Sequence, residues 1–154
     1  LMTPCQSYEF RDLLLGPQKQ QPYLQCGDFA IRDRNQNWNY QFCVSIDDYL
    51  DDVDYIIRGQ DLLESTGRQM FIKSLFTNKK CHYAHHPLLK NVDGQKLSKR
   101  QKDFGIIHWR EQGHPPEFAL NKVMHFWGIS EEISTLEEAI ESITKCLFFD
   151  EKKQ

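Results

Sequence analysis

The sequence predicts an α/β arrangement over its first two thirds that gives way to a run of helices, and three observations carry that prediction. A short apolar run, "DYIIRG", is followed by a helix-forming stretch, "TGRQMFIKSLF", which together make the strand-turn-helix unit of parallel sheets. Beyond Asp103 come stretches with apolar residues at helical spacing and with proline or hydroxyl residues at their starts. The composition, 40% hydrophobic and 27% charged over 154 residues, suits a single soluble globular domain and leaves little room for two independent ones.

Leu1 stands ahead of Met2, and the chain passes directly into an extended stretch, "SYEFRDLLLG", closed by Gly16-Pro17, as a segment of a longer chain does. The polar run "PQKQQPYLQ" is expected on the surface. "GDFAIRDR" alternates Phe29 and Ile31 with polar neighbours, the pattern of a half-buried strand, and Asn35, Gln36 and Asn37 supply a turn before Trp38. From Tyr40 onward, Phe42, Val44, Ile46, Tyr49, Leu50 and Val53 share an apolar stripe and predict a helix ending near Asp52. The β-branched Val44 and Ile46 leave its first turn ambiguous.

"DYIIRG" reads as a buried strand that carries Arg58 to its carboxyl end. Ser65 reads as the cap of the helix that follows, with Met70, Phe71, Leu75 and Phe76 on its inner face. "HYAHHPLLKNVDG" is extended and ends in an Asp-Gly turn, which places Lys96, Lys99 and Arg100 on a loop. The closing helices are "DFGIIHWREQG", "PPEFALNKVMHFWGIS" and "STLEEAIESITKCLFF". Pro115 and Pro116 fit the first turn of the second, and Ser134 or Thr135 caps the third.

A net charge of −3 excludes a broad basic field, so any contact with nucleic acid has to come from a local patch. The five cysteines are odd in number and irregularly spaced, which fits neither a disulfide framework nor a zinc knuckle and implies reduced thiols. No apolar run approaches the ~20 residues of a membrane span, and the amino end lacks a charged-then-apolar signal layout. A cytoplasmic protein without a membrane partner is expected.

The run "DGQKLSKRQ" admits two readings, a solvated loop or a mobile phosphate clamp. Taken alone, Arg58 reads as an ion-pair partner and Tyr40 as a core aromatic. Asp47, Asp48 and Asp61 read as structural carboxylates at helix ends or beside Arg58. "CHYAHH" is no zinc site on this reading, because ligands four apart share a face on a helix whereas the segment is extended. The "WxxxG" pattern of Trp109 to Gly113 and the cluster around Phe118 and Trp127 read as core stripes.

Taken in order, "GDFAIRDR", "NYQFCVSIDD", "IIRGQDLLESTGRQ", "HYAHHPLL", "DGQKLSKR" and "GHPPEFALNKVMHFWGIS" resemble the second half of the catalytic core of glutamyl-tRNA synthetases, a class I family. The resemblance implies the carboxyl-terminal half of a Rossmann-like nucleotide-binding domain followed by a small helical part. Residues 1–26 would end the acceptor-stem insertion or a linker, 27–103 would form the second half of the nucleotide-binding domain, and 104–154 the helical part. It further implies that "KLSKR" is the second class I signature, on a loop beside the triphosphate of ATP with its Mg2+. There Lys99 would be the catalytic phosphate contact, and Lys96 and Ser98 would join it in binding ATP.

Tyr40 and Arg58 correspond to family residues that contact L-glutamate, and an arginine fork is suited to choosing an acidic over a neutral amino acid. Cys43 stands where the family usually has alanine. His85 matches a family histidine ahead of Pro87-Leu88 and is expected in the pocket wall.

No "HIGH"-like first signature occurs, so the resemblance implies that this chain supplies only the far half of a site. The stop soon after the helical junction is similar to that of the shorter glutamyl-Q tRNA(Asp) synthetases. Their zinc site lies upstream, and Cys5 is at most its remnant, so no zinc is expected here. Three functions follow: part of a glutamate-activating tRNA ligase of the glutamyl-Q type, a non-catalytic synthetase-like module binding nucleotide, tRNA or protein, or a truncated glutamyl-tRNA synthetase. L-glutamate and tRNA are the expected partners, together with the missing amino half or a second copy covering the exposed sheet edge.

Overall fold

A computed structural model describes residues 1–89 and 105–148. The chain divides into two compact units, residues 1–85 and 86–154.

The first unit is built on a four-stranded sheet in the order β2-β1-β4-β3. Strands β1 (Tyr8–Asp12) and β2 (Gly16–Gln20) form an antiparallel hairpin in which Tyr8 faces Gln20 and Asp12 faces Gly16. The hairpin turn is made by Asp12, whose Oδ1 accepts the backbone N–H groups of Leu14 and Leu15 at 3.0 Å each. It closes on Gly16 at φ +75°, a left-handed conformation that glycine adopts without strain. Strand β1 also runs parallel to β4 (His82–His86), with Asp12 opposite Tyr83. The carboxyl end of β1 therefore lies beside the start of β4. Strand β3 (Tyr55–Gly59) is an outer strand, at the edge opposite β2.

Helix α1 (Pro22–Cys26) is a single turn opened by proline. Helix α2 (Tyr40–Leu50) starts at Asn39, whose side chain accepts the Gln41 N–H at 2.8 Å. Helix α3 (Thr66–Ser74) buries Phe71 and Ile72 in the same core as Tyr8, Tyr83 and Ala84, and Tyr8 packs on Phe71. Gly67 lets α3 come close to β2. A Cβ there would sit 2.9 Å from Gln20 Cβ, and Gln20 Oε1 accepts the Gly67 N–H at 2.7 Å.

Three local expectations are revised. "GDFAIRDR" forms no strand and makes only an isolated bridge, Arg32 with Trp38. Its backbone is spent elsewhere: Phe29 N bonds Leu1 O, Gly27 O accepts from Thr3 Oγ1, and Asp33 folds the next residues into a side-chain turn by accepting from Asn35 and Asn37. "DYIIRG" is a strand, as expected, but an outer one, with Tyr55 and Ile57 half exposed. Ser65 does not cap α3. A 3₁₀ turn over Gln60–Ser65 runs directly into the helix, and the Ser65 hydroxyl instead accepts from Gln41 Nε2 at 3.2 Å.

The second unit contains α4 (Ile106–Glu111), α5 (Pro116–Phe126) and α6 (Leu136–Phe148). Its core is Met124, Ile133 and Ala139, with Leu120, Ile129 and Ile143 packed around them. Asn121 pins the connection between α5 and α6 by accepting the Ile133 N–H and donating to the Ile133 carbonyl, both at 2.7 Å. Thr135 and Glu138 make a reciprocal capping box at the start of α6, as the sequence suggests. No helix among the described residues is long and apolar enough to cross a membrane.

Candidate functional site

The first unit gathers its polar side chains where β1, β3 and β4 end and α2 and α3 begin. Open α/β sheets carry their ligands at the carboxyl ends of their strands. Strand β1 ends in Asp12, β3 delivers Arg58, and β4 delivers His85. The first turn of α3 adds Thr66 and Gln69, and α2 opens with Tyr40 and Gln41.

Arg58 is the hub. Its Nε donates to His85 Nε2 at 3.0 Å, its Nη2 to Thr66 Oγ1 at 2.9 Å, and its Nη1 to Gln69 Oε1. Gln69 in turn donates to the side-chain oxygen of Gln41. A guanidinium has five N–H donors, so these contacts leave two, one on each terminal nitrogen. All three acceptors are neutral. Among the described residues no carboxylate lies within salt-bridge distance of Arg58.

Burial is the main influence on the guanidinium and pushes its pKa below the usual value, while Tyr83, Tyr40, Asp48 and Asp12 pull the other way. The group remains charged. A partly buried cation that no anion contacts among the described residues is costly.

Asp12 and His85 stand behind the hub, both inaccessible to solvent at 1% and 0% exposure. Asp12 Oδ2 lies 2.6 Å from His85 Nδ1. Burial alone would raise the Asp12 pKa, but hydrogen bonds from His85 and from the backbone N–H groups of Leu14, His85 and Leu15 outweigh it and hold the carboxylate below its usual range.

Nearby, Lys73 donates to Cys81 Sγ at 2.9 Å and reaches the carbonyls of Asp48 and Val53. Asp48 has its pKa raised chiefly by burial, against the pull of Lys73 and Arg58. Cys81 and His85 thus serve different partners. Among the described residues no group of three or more His, Cys, Asp or Glu side chains could hold a metal ion.

Of the residues singled out in the sequence, the structure brings together Tyr40, Arg58 and His85. Tyr40 is 57% exposed, and its phenol lies within electrostatic range of the guanidinium. Lys96, Ser98 and Lys99 lie outside the described residues. Sequence reading missed Asp12, Gln41, Thr66 and Gln69. Asp12 carries only a turn signal in "DLLLG", while Thr66 and Gln69 sit unremarked in "STGRQ".

The fold itself defines the class of protein. The coordinates superpose on a glutamate-tRNA synthetase from Elizabethkingia anophelis with a TM-score of 0.73 and 22% identity, covering 91% of this chain and 32% of that one. This is the architecture of a class I synthetase catalytic domain. The chain belongs to the family of class I tRNA synthetases (E and Q), catalytic domain, whose model matches residues 2–153.

Among curated relatives it is 40% identical over 137 residues to a glutamyl-Q tRNA(Asp) synthetase of Janthinobacterium sp. (strain Marseille), covering 81% of this chain and 46% of the relative. It is 35% identical over 128 residues to a glutamyl-Q tRNA(Asp) synthetase of Geobacter sulfurreducens, covering 83% and 41%. It is 34% identical over 142 residues to glutamate–tRNA ligase 1 of Nitratiruptor sp., covering 91% and 33%. The chain spans less than half the length of these relatives.

Proposed function

We propose that this chain supplies the amino-acid-selecting and triphosphate-clamping part of an ATP-dependent, glutamate-activating tRNA ligase of the glutamyl-Q type. The observation that carries the reading is Arg58: a partly buried guanidinium held by three neutral acceptors, with two N–H groups left over and no carboxylate touching it among the described residues. A glutamate side-chain carboxylate would take those two donors and supply the missing charge, whereas the neutral amide of glutamine would leave the charge uncompensated. Tyr40 would line the same pocket.

In the reaction proposed, the α-carboxylate of glutamate attacks the α-phosphorus of ATP, the bond from that phosphorus to the α,β-bridging oxygen breaks, and pyrophosphate leaves. The glutamyl group then passes from the adenylate to tRNA, and AMP leaves. Lys96, Ser98 and Lys99 are proposed to hold the triphosphate and to offset the charge that builds on the departing pyrophosphate. Mg2+ would accompany the triphosphate.

The half-exposed Tyr55 and Ile57 on outer strand β3 are proposed to meet either the remainder of a longer synthetase or a second chain. Titration calorimetry with glutamate and with glutamine tests the selection. Binding of glutamate with clear preference over glutamine supports the reading. Binding of nucleotide or tRNA with indifference to both amino acids would replace it with a non-catalytic synthetase-like module.

A further inference from the structure

We infer that Asp12, acting through His85, is a positioning residue that keeps Arg58 aligned while leaving its charge unspent. The inference deepens the reading of Arg58 as a carboxylate receptor and rests on it.

The argument begins with proton bookkeeping. Arg58 Nε carries a hydrogen in every accessible state and points at His85 Nε2, 3.0 Å away. That ring nitrogen must therefore be the acceptor. The Thr66 hydroxyl, 3.3 Å from the same nitrogen, can direct its own proton there while accepting from Arg58 Nη2. The imidazole proton then belongs on Nδ1, where Asp12 Oδ2 receives it at 2.6 Å.

Asp12 Oδ1 is occupied separately by the N–H groups of Leu14 and Leu15 at 3.0 Å and of His85 at 3.3 Å. The carboxylate is thus locked to the hairpin turn by one oxygen and sets the tautomer of His85 with the other. The tautomer in turn fixes the edge of Arg58 through which Nε donates.

The alternative design would place a carboxylate directly on Arg58. That would hold the guanidinium equally well, but it would neutralise the charge that an anionic ligand has to find. A neutral imidazole inserted between the two keeps the geometry and spares the charge. The residues that meet here come from three strands, β1, β3 and β4, so the device is a product of the sheet order.

Asp12→Asn tests it almost isosterically. Three backbone donors require the amide oxygen to stay at the Oδ1 position, because a flipped amide would lose all three. The amide nitrogen then faces His85 Nδ1 as a donor, the ring proton moves to Nε2, and two donors confront each other at the Arg58 Nε contact.

The measurement is a long-range proton–nitrogen correlation spectrum of the 154-residue chain labelled with 15N at histidine and arginine. We expect His85 to be protonated at Nδ1 and bare at Nε2 in the parent, and the reverse in Asp12→Asn, with the Arg58 Nε–H losing its hydrogen-bonded shift. A parent spectrum with the proton on Nε2 overturns the inference by itself, whether or not the variant folds. So does a folded variant with an unchanged tautomer.

Glutamate titrations add the functional arm: Asp12→Asn should weaken glutamate about ten- to hundredfold, the loss of a charge-assisted contact. If the tautomers behave as stated and the parent ignores glutamate, the relay stands and the glutamate reading fails.

Discussion

Replacing Arg58 by alanine separates a binding role from a structural one. The substitution removes three donated hydrogen bonds, to His85 Nε2, Thr66 Oγ1 and Gln69 Oε1, and with them the guanidinium at the centre of this cluster. His85 Nε2 and Thr66 Oγ1, two of the abandoned acceptors, lie 3.3 Å from each other and can pair, while Gln69 loses the donor to its Oε1 and keeps only the bond its Nε2 donates to Gln41. The partly buried cation also disappears, which offsets part of the loss of hydrogen bonding.

Folding should therefore survive, while ligand selection should not. A carboxylate held by a guanidinium is worth about 1.5–3 kcal/mol, so glutamate affinity should fall about ten- to 150-fold by the usual conversion. Glutamine, whose amide never engages the full charge, should lose much less. Calorimetry with both amino acids on the parent and on Arg58→Ala, after thermal unfolding shows that the variant is folded, decides the matter. A folded variant that binds glutamate as well as its parent would refute the assignment of Arg58.

Other predictions concern the phosphate loop, the buried carboxylate and the packing. In a catalytic core that contains this chain and sustains glutamate-dependent pyrophosphate exchange, Lys99→Ala should depress kcat far more than it raises KM for glutamate, as a contact made in the transition state would; an effect confined to KM would argue for simple ground-state binding. Because the Asp12 carboxylate is held below its usual pKa, its stabilising contribution should be complete above about pH 4, the unfolded value, and should fade as acid brings the pH down through the native value. Urea unfolding between pH 7 and pH 2.5 should accordingly show the parent's advantage over Asp12→Asn shrinking in acid, and a constant difference would count against the buried charge. Gly67→Ala forces a methyl group to within 2.9 Å of Gln20 Cβ and disturbs the bond between Gly67 N and Gln20, so it should cost about 1–3 kcal/mol in denaturant unfolding. A neutral result would mean that α3 and β2 have room to separate.

Much of the architecture is written in local patterns. The apolar stripe from Tyr40 and the Asn39 cap belong to one stretch of chain, and α2 forms where the stripe predicts. The same holds for α5, opened by Pro115-Pro116, and for α6, opened by the Thr135–Glu138 box. These signals act over one helical turn, so sequence alone suffices to read them. The ordered series of motifs likewise singled out Tyr40 and Arg58, although it said nothing of what holds the arginine in place.

Where the local pattern depended on a distant partner, it misled or fell silent. "GDFAIRDR" has the alternation of a strand, but its backbone groups are taken by Leu1, Thr3 and the Asp33 turn, so there is no ladder for it to join. "DYIIRG" has the apolar density of a central strand and lies at the edge, because the order β2-β1-β4-β3 places no neighbour beyond it among the described residues.

Asp12 shows the limit most clearly. In sequence it is a turn residue four positions before a glycine, and the histidine it orients lies 73 residues away. Only the parallel pairing of β1 with β4, Asp12 opposite Tyr83, brings Asp12 within reach of His85 two residues further along β4. The sequence by itself determined where α2, α5 and α6 form, which segment carries the arginine and to which family the motifs point, because each is encoded in neighbouring residues. Tertiary structure alone decided that, among the described residues, the arginine meets neutral acceptors and no carboxylate, because that depends on His85 of β4 and Thr66 and Gln69 of α3 being brought to it from elsewhere in the chain.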